Sequence, residues 1–254
     1  MTTTVTGTGA AVRPMVDRAT AMRLAAAEYQ RITEELRELS ARDWAAATCC
    51  PGWDVRLMTC HVLGMAEFAA SPAEQARQAL RARRADGAQF IDRLTAVQVA
   101  KHAHQSTADL TGLMAVAGPR AVRGRRRSPA LLRRVSLAQS ADPAGTRPER
   151  WTYGFLTDVI GTRDTWMHRS DIAAATGRPM ALTADHDGII VADVVREWAE
   201  RHGQPCSLTL AGPAGGAWTW GQDGPGYQLD AIQFCRILSG RGYGHGLLAT
   251  AVPF

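Results

Sequence analysis

Apolar positions recur at helical spacing in several segments of the chain. In residues 14–40 the residues Met22, Leu24, Tyr29, Ile32 and Leu36 follow one another at intervals of two to five, a stripe typical of an amphipathic helix. Residues 53–70 carry a second stripe at the same period. Further helical patterns cover residues 72–85, 88–118, 156–176, 187–201 and 231–240.

The pattern changes after residue 180. Residues 207–211 alternate as a strand does, glycine and proline turns follow, and residues 217–220 and 227–229 are further candidate strands. We therefore predict an α+β protein, with a helical bundle over residues 14–179 and a small α+β domain over residues 180–254. Residues 1–13 are small and polar, and we expect a disordered tail there.

Charge and composition narrow the possible functions. The chain has 254 residues and a net charge of +5, and much of the excess lies in one stretch. Residues 118–150 show little periodicity and predict a loop or short docking segment. No aromatic residues interleave with its arginines, so a solvated basic surface is favoured over a nucleic-acid site. A basic rim that attracts a carboxylate- or phosphate-bearing small molecule is a third interpretation. The arginines are Arg120, Arg123, Arg125, Arg126, Arg127, Arg133 and Arg134.

Neither a membrane nor a disulfide framework is indicated. No apolar run is long enough to span a bilayer, and the first residues form no apolar signal-peptide core. The five cysteines are odd in number and show no CxxC spacing, so a disulfide scaffold is not expected. These features favour a cytoplasmic protein.

The segment 156–176 carries the most informative pair of side chains. Asp164 and His168 are four residues apart, which places them on one helix face, one turn apart. Apolar neighbours suggest that this face is buried, where a carboxylate and an imidazole need a partner. A divalent metal with a third protein ligand would provide one. A hydrogen-bonded pair without metal is the alternative.

Three motifs together resemble a known family. Residues 50–61 read CPGWDVRLMTCH, residues 162–172 read TRDTWMHRSDI, and the chain ends with DAIQFCRILSGR followed by GLLATAVPF. These segments resemble the DinB/YfiT-like proteins, and within them the actinobacterial mycothiol-dependent maleylpyruvate isomerase family. The resemblance covers almost the whole chain after residue 14.

The resemblance implies a DinB-like four-helix bundle with a metal held by His61, Asp164 and His168. Taken alone, His61 lies beside an apolar helix face, where a histidine is more often a satisfied core residue. Asp164 stands where the isomerase pattern has glutamate, and its shorter side chain is a departure from that pattern. Two imidazoles and one carboxylate suit zinc or another first-row divalent ion, and three protein ligands leave one position open for catalysis. In the family, the thiol that uses such a metal is mycothiol.

Further residues have expected roles in this site. Arg163 and Arg169 flank the proposed ligands and are candidates for binding the thiol cofactor, although salt bridges are the plainer interpretation. Arg241 resembles an arginine implicated in catalysis in the isomerase branch. Asp171 can hold the ring nitrogen of His168 that does not bind metal, and pairing with Arg169 or Arg178 on the helix surface is an equal alternative. Cys60, a rival thiol, is expected to face away from His61 because adjacent helical residues point about 100° apart.

The sequence therefore predicts a metal-dependent enzyme that uses mycothiol for thiol addition, thiol transfer or thiol-assisted isomerisation. Its expected partners are mycothiol and a small electrophilic substrate, with no specific nucleic acid and no membrane, in a monomer or homodimer. A metal-assisted hydrolase or lyase is one alternative, with a metal-bound water in place of the thiol. A non-catalytic binding module with a metal site is the other.

Overall fold

The computed structural model describes residues 16–87, 89–139 and 149–254. The expected disordered tail, residues 1–13, lies outside them. In the described residues the longer helices are α1 (Arg18–Glu38), α3 (Val55–Ala70), α4 (Pro72–Ala82), α5 (Phe90–His102), α6 (Thr107–Arg127), α9 (Gly161–Thr176), α10 (Asp187–His202) and α11 (Ala231–Leu238). Short helices are α2 (Ala41–Trp44), α7 (Ala130–Arg133) and α8 (Tyr153–Phe155), with a π-helical turn at Leu156–Ile160 and a 3₁₀ turn at Gly246–Ala249.

Four helices form the bundle that the sequence predicts. Helix α1 packs on α6 and α9, and α3 packs on the same two helices, so the four close into a ring. Their buried apolar stripes meet in one core, which includes Ile32, Met58, Met114 and Ile172. Helices α4 and α5 cover the outside of α3. No helix in the described ranges is both long and apolar enough to cross a membrane.

The C-terminal part is a small sheet backed by helices. Strands β3 (Cys206–Ala211), β4 (Gly216–Trp220) and β5 (Gly226–Asp230) lie in the order β4-β3-β5, with β4 antiparallel and β5 parallel to β3. Helices α10 and α11 pack against this sheet. The α+β class and all three predicted strands are confirmed.

The core of the C-terminal part continues into the bundle. Trp198 on α10 is fully buried, and its cluster includes Leu24 from α1 and Trp166 and Met167 from α9. The two parts therefore share apolar surface. The boundary at residue 179 stays a prediction.

One prediction for the middle of the chain is confirmed and one is wrong. Residues 88–118 are mostly helical, as expected, and form α5 and α6 because Ser106 and Asp109 form a capping box that starts a new helix. The loop expected from residue 118 is helical as far as Arg127, since arginine and alanine are good helix formers. Arg125 is moreover buried, donating to the Tyr29 hydroxyl and the Gly161 carbonyl at 2.8 and 3.0 Å.

A hairpin that the sequence reading missed follows α7. Strand β1 (Ser136–Gln139) pairs antiparallel with β2 (Glu149–Thr152), with Ser136 opposite Thr152. Both strands are only four residues long and show no clear alternation, so periodicity gives little signal for them.

Candidate metal centre

Helix α3 positions His61. Pro51 and Gly52 form the turn before the helix, and the Asp54 carboxylate caps it by accepting from the backbone N–H of Leu57 at 2.7 Å. His61 lies two turns into the helix and is only 5% exposed. The Trp53 ring lies beside it, with ring centroids 5.5 Å apart.

Helix α9 positions Asp164 and His168. The π-helical turn at Leu156–Ile160 leads directly into α9, and such turns often occur at functional sites because they shift the direction of the following side chains. Gly177 ends the helix in the left-handed conformation, at φ 70°, as its sequence position predicts. Asp164 and His168 therefore lie one turn apart in the first half of the helix.

These three side chains converge on one point. The Asp164 Oδ1 atom lies 3.6 Å from His61 Nε2 and 3.5 Å from His168 Nε2. The two imidazole rings are edge to face, with centroids 5.2 Å apart. The three candidate ligand atoms all lie within 4.8 Å of one another. We refer to His61, Asp164 and His168 as the triad.

The outer ring nitrogens of both histidines are already bonded. His61 Nδ1 lies 2.9 Å from the Gln98 Oε1 atom, and His168 Nδ1 lies 3.1 Å from Asp171 Oδ2. Both partners can accept a hydrogen bond, so when the imidazoles are neutral each Nδ1 carries the proton and each Nε2 is free to bind a metal. Metal-binding histidines in proteins almost always have this second hydrogen bond. The contact predicted between His168 and Asp171 is confirmed.

Without metal, the triad is a tightly coupled charge cluster. Burial opposes the ionisation of Asp164, but the His168 and His61 imidazoles outweigh it and hold the pKa of Asp164 well below its usual range. Burial likewise lowers the pKa of His168, but the Asp164 charge outweighs it and raises that pKa to about 9. The Oδ2 atom of Asp164 is buried and has no hydrogen-bond partner in the described residues. A buried carboxylate oxygen without a partner is costly and marks a place where a cation fits.

The donor set and its spacing fit a zinc ion. Ligand atoms about 2 Å from zinc at tetrahedral angles lie about 3.3 Å apart. The Asp164 oxygen is 3.5 and 3.6 Å from the two ring nitrogens, so its shorter side chain still reaches the centre. Three protein ligands leave a fourth position open, as in catalytic zinc sites.

Asp171 connects the triad to the C-terminal part. Besides His168, its carboxylate accepts from Arg241 Nε and Nη2 at 2.8 Å, and from Arg236 Nη1 at 2.8 Å. Arg236 and Arg241 line a hollow of about 420 Å³ on the surface. Arg241 thus reaches the triad through Asp171, and its expected catalytic role stays a prediction.

A second group of possible ligands is less suited to a metal. Cys49, Cys50 and Asp171 lie together, and the Cys49 thiol is 3.1 Å from the Asp171 carboxylate. Both Asp171 oxygens are already occupied by arginines and His168. Burial raises the pKa of Cys50 to about 11, with the Asp171 charge adding to the effect, so its thiolate is disfavoured.

From the sequence we expected Arg163 and Arg169 to lie at the side of a pocket. The structure instead places both side chains between helices. Arg163 binds Asp193 and Glu197 of α10, each at 2.6 Å, and its side chain is 3% exposed. Arg169 binds Glu28 at 2.9 Å and also Glu35, both on α1, and its side chain is fully buried. Both guanidinium groups therefore join helices rather than face a ligand, and a cofactor-binding role has no geometric support here.

Gln98 is the residue of this site that the sequence reading missed. It lies on α5, is fully buried, and bridges His61 to Gln78 with Nε2 donating at 3.0 Å. Its position depends on Gly64, where an added Cβ would lie 2.5 Å from the Gln98 Cβ. A polar residue among apolar ones in a helix was the available signal. Cys60 packs in the bundle core and is not part of the triad.

Comparison with known proteins agrees with this geometry. The family described as mycothiol maleylpyruvate isomerase N-terminal domain matches residues 25–173, which include the whole triad. The crystal structure of a mycothiol-dependent maleylpyruvate isomerase has the same fold, with a TM-score of 0.56, 15% identity, and coverage of 89% of this chain and 90% of that one. A histidine-to-alanine mutant of such an isomerase matches with a TM-score of 0.55, 14% identity and the same coverage. None of the curated proteins matches the chain significantly. The family match covers more than half of the chain, which therefore belongs to the mycothiol maleylpyruvate isomerase N-terminal domain family.

Proposed function

We propose that this protein is a metal-dependent enzyme that uses mycothiol to isomerise a small electrophilic substrate. The observation that carries the proposal is the triad, in which two histidine ring nitrogens and a carboxylate oxygen of Asp164 lie within 4.8 Å of one another. The family description and the names of the two solved isomerases supply the thiol and the reaction class. Zinc is the metal that the donor set favours.

Each residue of the site has a specific task in this proposal. His61, Asp164 and His168 would hold the metal, and Gln98 and Asp171 keep the two imidazoles in the tautomer that binds it. A metal held there would lower the pKa of a coordinated thiol and so supply the nucleophile that thiol-assisted isomerisation needs. The two imidazoles are buried, which strengthens their electrostatic interactions with Asp164.

The arginines beside Asp171 suit a substrate with a negative charge. Arg236 and Arg241 line the hollow and retain N–H groups that do not contact Asp171. A guanidinium group binds a carboxylate in a fixed, two-pronged geometry. We infer that the substrate carboxylate enters from this side, with the reacting carbon toward the triad.

Metal binding is the first test. The wild-type protein should contain about one zinc per chain by elemental analysis, and His168→Ala should lose it. His104→Ala is the matched control, because His104 is exposed and lies outside the triad, and its metal content should be unchanged. Equal metal content in all three proteins would disprove the site.

Thiol binding is the second test. In the cobalt-substituted protein, mycothiol should produce an intense near-ultraviolet charge-transfer band, and binding should release a proton that calorimetry in different buffers can count. His61→Ala should show neither signal. Turnover of the substrate by a metal-loaded, thiol-free enzyme would instead favour the hydrolase. Loaded metal with no band and no proton release would favour a binding module.

A further inference from the structure

A second cleft, separate from the triad, lies on the surface of the bundle. It is formed by the end of α3, the start of α4 and one face of α6, and has a volume of about 670 Å³. Small-molecule sites in proteins commonly have volumes of roughly 300–1,000 Å³. Phe68, which lines the cleft, is seven residues after His61 on α3, so about 10 Å of helix separates the two sites.

One stripe of α6 gives this cleft an apolar end and a basic end. Leu113 and Val116 line the first half and are 37% and 50% exposed. Arg120, Arg123 and Arg127 follow on the same face at intervals of three and four residues and are exposed. Polarity thus changes from apolar to cationic along the length of the cleft.

The charge in the cleft is not balanced by its acidic residues. Glu67 and Glu74 are on the opposite wall, and Lys101 binds both at 2.6 Å. Among the residues that the structure describes, Arg120, Arg123 and Arg127 have no carboxylate within ion-pair distance. The basic end is therefore available to an anion.

The cleft is also preformed. Gly124 on α6 packs against the end of α3 so closely that an added Cβ would lie 2.2 Å from the Ala69 carbonyl oxygen. This contact fixes α6 against α3 at the base of the cleft. Little of the free energy of ligand binding would therefore be needed to organise the site.

We propose that this cleft binds a small amphipathic carboxylate. The apolar body lies along Leu113 and Val116, and the carboxylate lies among Arg120, Arg123 and Arg127. Charge complementarity favours an anion, because three exposed arginines on one helix face attract a carboxylate and repel a cation. The site does not depend on the metal or on mycothiol.

Octanoate is a suitable probe for calorimetric titration of the full-length protein, below its micellar concentration. It should bind saturably and more weakly as salt rises, because exposed charges are screened. Octanol and octyltrimethylammonium should bind at least tenfold more weakly. Arg123→Gln should weaken octanoate binding about tenfold, the loss expected for one charge-assisted hydrogen bond. Val116→Glu should abolish binding by placing a carboxylate beside the apolar end.

Arg126→Gln is the matched control, since Arg126 is exposed on the same turn of α6 but does not line the cleft. It should bind octanoate as the wild type does, and circular dichroism should show the same helix content in all variants. Equal losses in Arg123→Gln and Arg126→Gln would overturn the proposal, as would equal binding of octanol. Association with anionic lipid vesicles without saturable octanoate binding would identify a membrane surface as the occupant and would also overturn it.

Discussion

Replacing Gln98 by methionine tests the support of the proposed metal centre without touching a proposed ligand. Methionine is unbranched and similar in length, so its packing against Gly64 should be retained. The change removes the amide that accepts from His61 Nδ1 at 2.9 Å and donates to Gln78 Oε1 at 3.0 Å. His61 Nδ1 and Gln78 Oε1 are buried, and neither atom gains a new hydrogen-bond partner from methionine.

The structure sets the size of the effect. Each buried group left unpaired costs about 1–3 kcal/mol, so the metal-free protein should lose about 2–6 kcal/mol of unfolding free energy. The His61 ring also becomes free to carry its proton on Nε2, which removes the lone pair that faces the triad. Loss of such an outer hydrogen bond typically weakens metal binding about 10- to 100-fold. The zinc affinity of the Gln98→Met protein should therefore be about 10- to 100-fold lower than that of the wild type.

Two measurements separate these effects. Competition with a chromophoric chelator gives the zinc affinity, and urea unfolding of the metal-free protein gives the stability. Gln233→Met is the matched control, because Gln233 is exposed on α11, and both quantities should stay at wild-type values. Gln98→Glu should keep more of the zinc affinity than Gln98→Met, since its carboxylate still accepts from His61 Nδ1. A zinc affinity of Gln98→Met within twofold of wild type would refute this account of His61.

Three further predictions concern pH, ion pairs and close packing. In the metal-free protein, the pKa of His168 rises from 6.5 in the unfolded state to about 9 in the folded state, so the stability that His168 contributes is complete below pH 6.5 and is lost as the pH approaches 9. Urea unfolding between these pH values should show this decline in stability. The same decline in the His168→Gln protein would contradict its assignment to His168. Arg169→Met should cost about 3–5 kcal/mol because it removes the buried guanidinium that pairs with Glu28 and Glu35, whereas Arg178→Met, at an exposed ion pair, should cost less than about 1 kcal/mol in the same assay. Gly64→Ala should lower both the melting temperature and the zinc affinity, because its Cβ would overlap Gln98; unchanged values for both would show that the two helices separate easily.

Local sequence patterns correctly predicted those elements in which a given spacing of apolar residues is compatible with only one type of secondary structure. The stripes of α1 and α3, the Gly177 end of α9 and the three predicted C-terminal strands are all found. The one-turn spacing of Asp164 and His168 likewise predicted that both side chains lie on one face of a helix. These features depend on contacts between residues near one another in the chain, which periodicity records.

Charge was a poorer guide than periodicity. The arginine-rich stretch was predicted to be a loop, yet α6 continues to Arg127, with one of its arginines, Arg125, packed in the core of the bundle. Arg125 is buried and bonded to α1 and α9, whereas its neighbours on the same helix are exposed. The same arginine-rich stretch thus contributes one residue to the core and several to a basic surface. Which arginine does which depends on the side of the helix from which it projects.

The sequence by itself determined most of the long helices, the three C-terminal strands, the one-turn pair on α9 and, through its family motifs, the three candidate ligands. Only the tertiary structure decided that Gln98 holds His61, that Asp171 joins His168 to Arg241, and that Arg163 and Arg169 are buried between helices. The physical reason is distance along the chain. These contacts join residues 30 to 141 positions apart, except for the neighbouring His168 and Asp171. Which side chains meet at such separations depends on how four helix faces pack, and no local spacing encodes that.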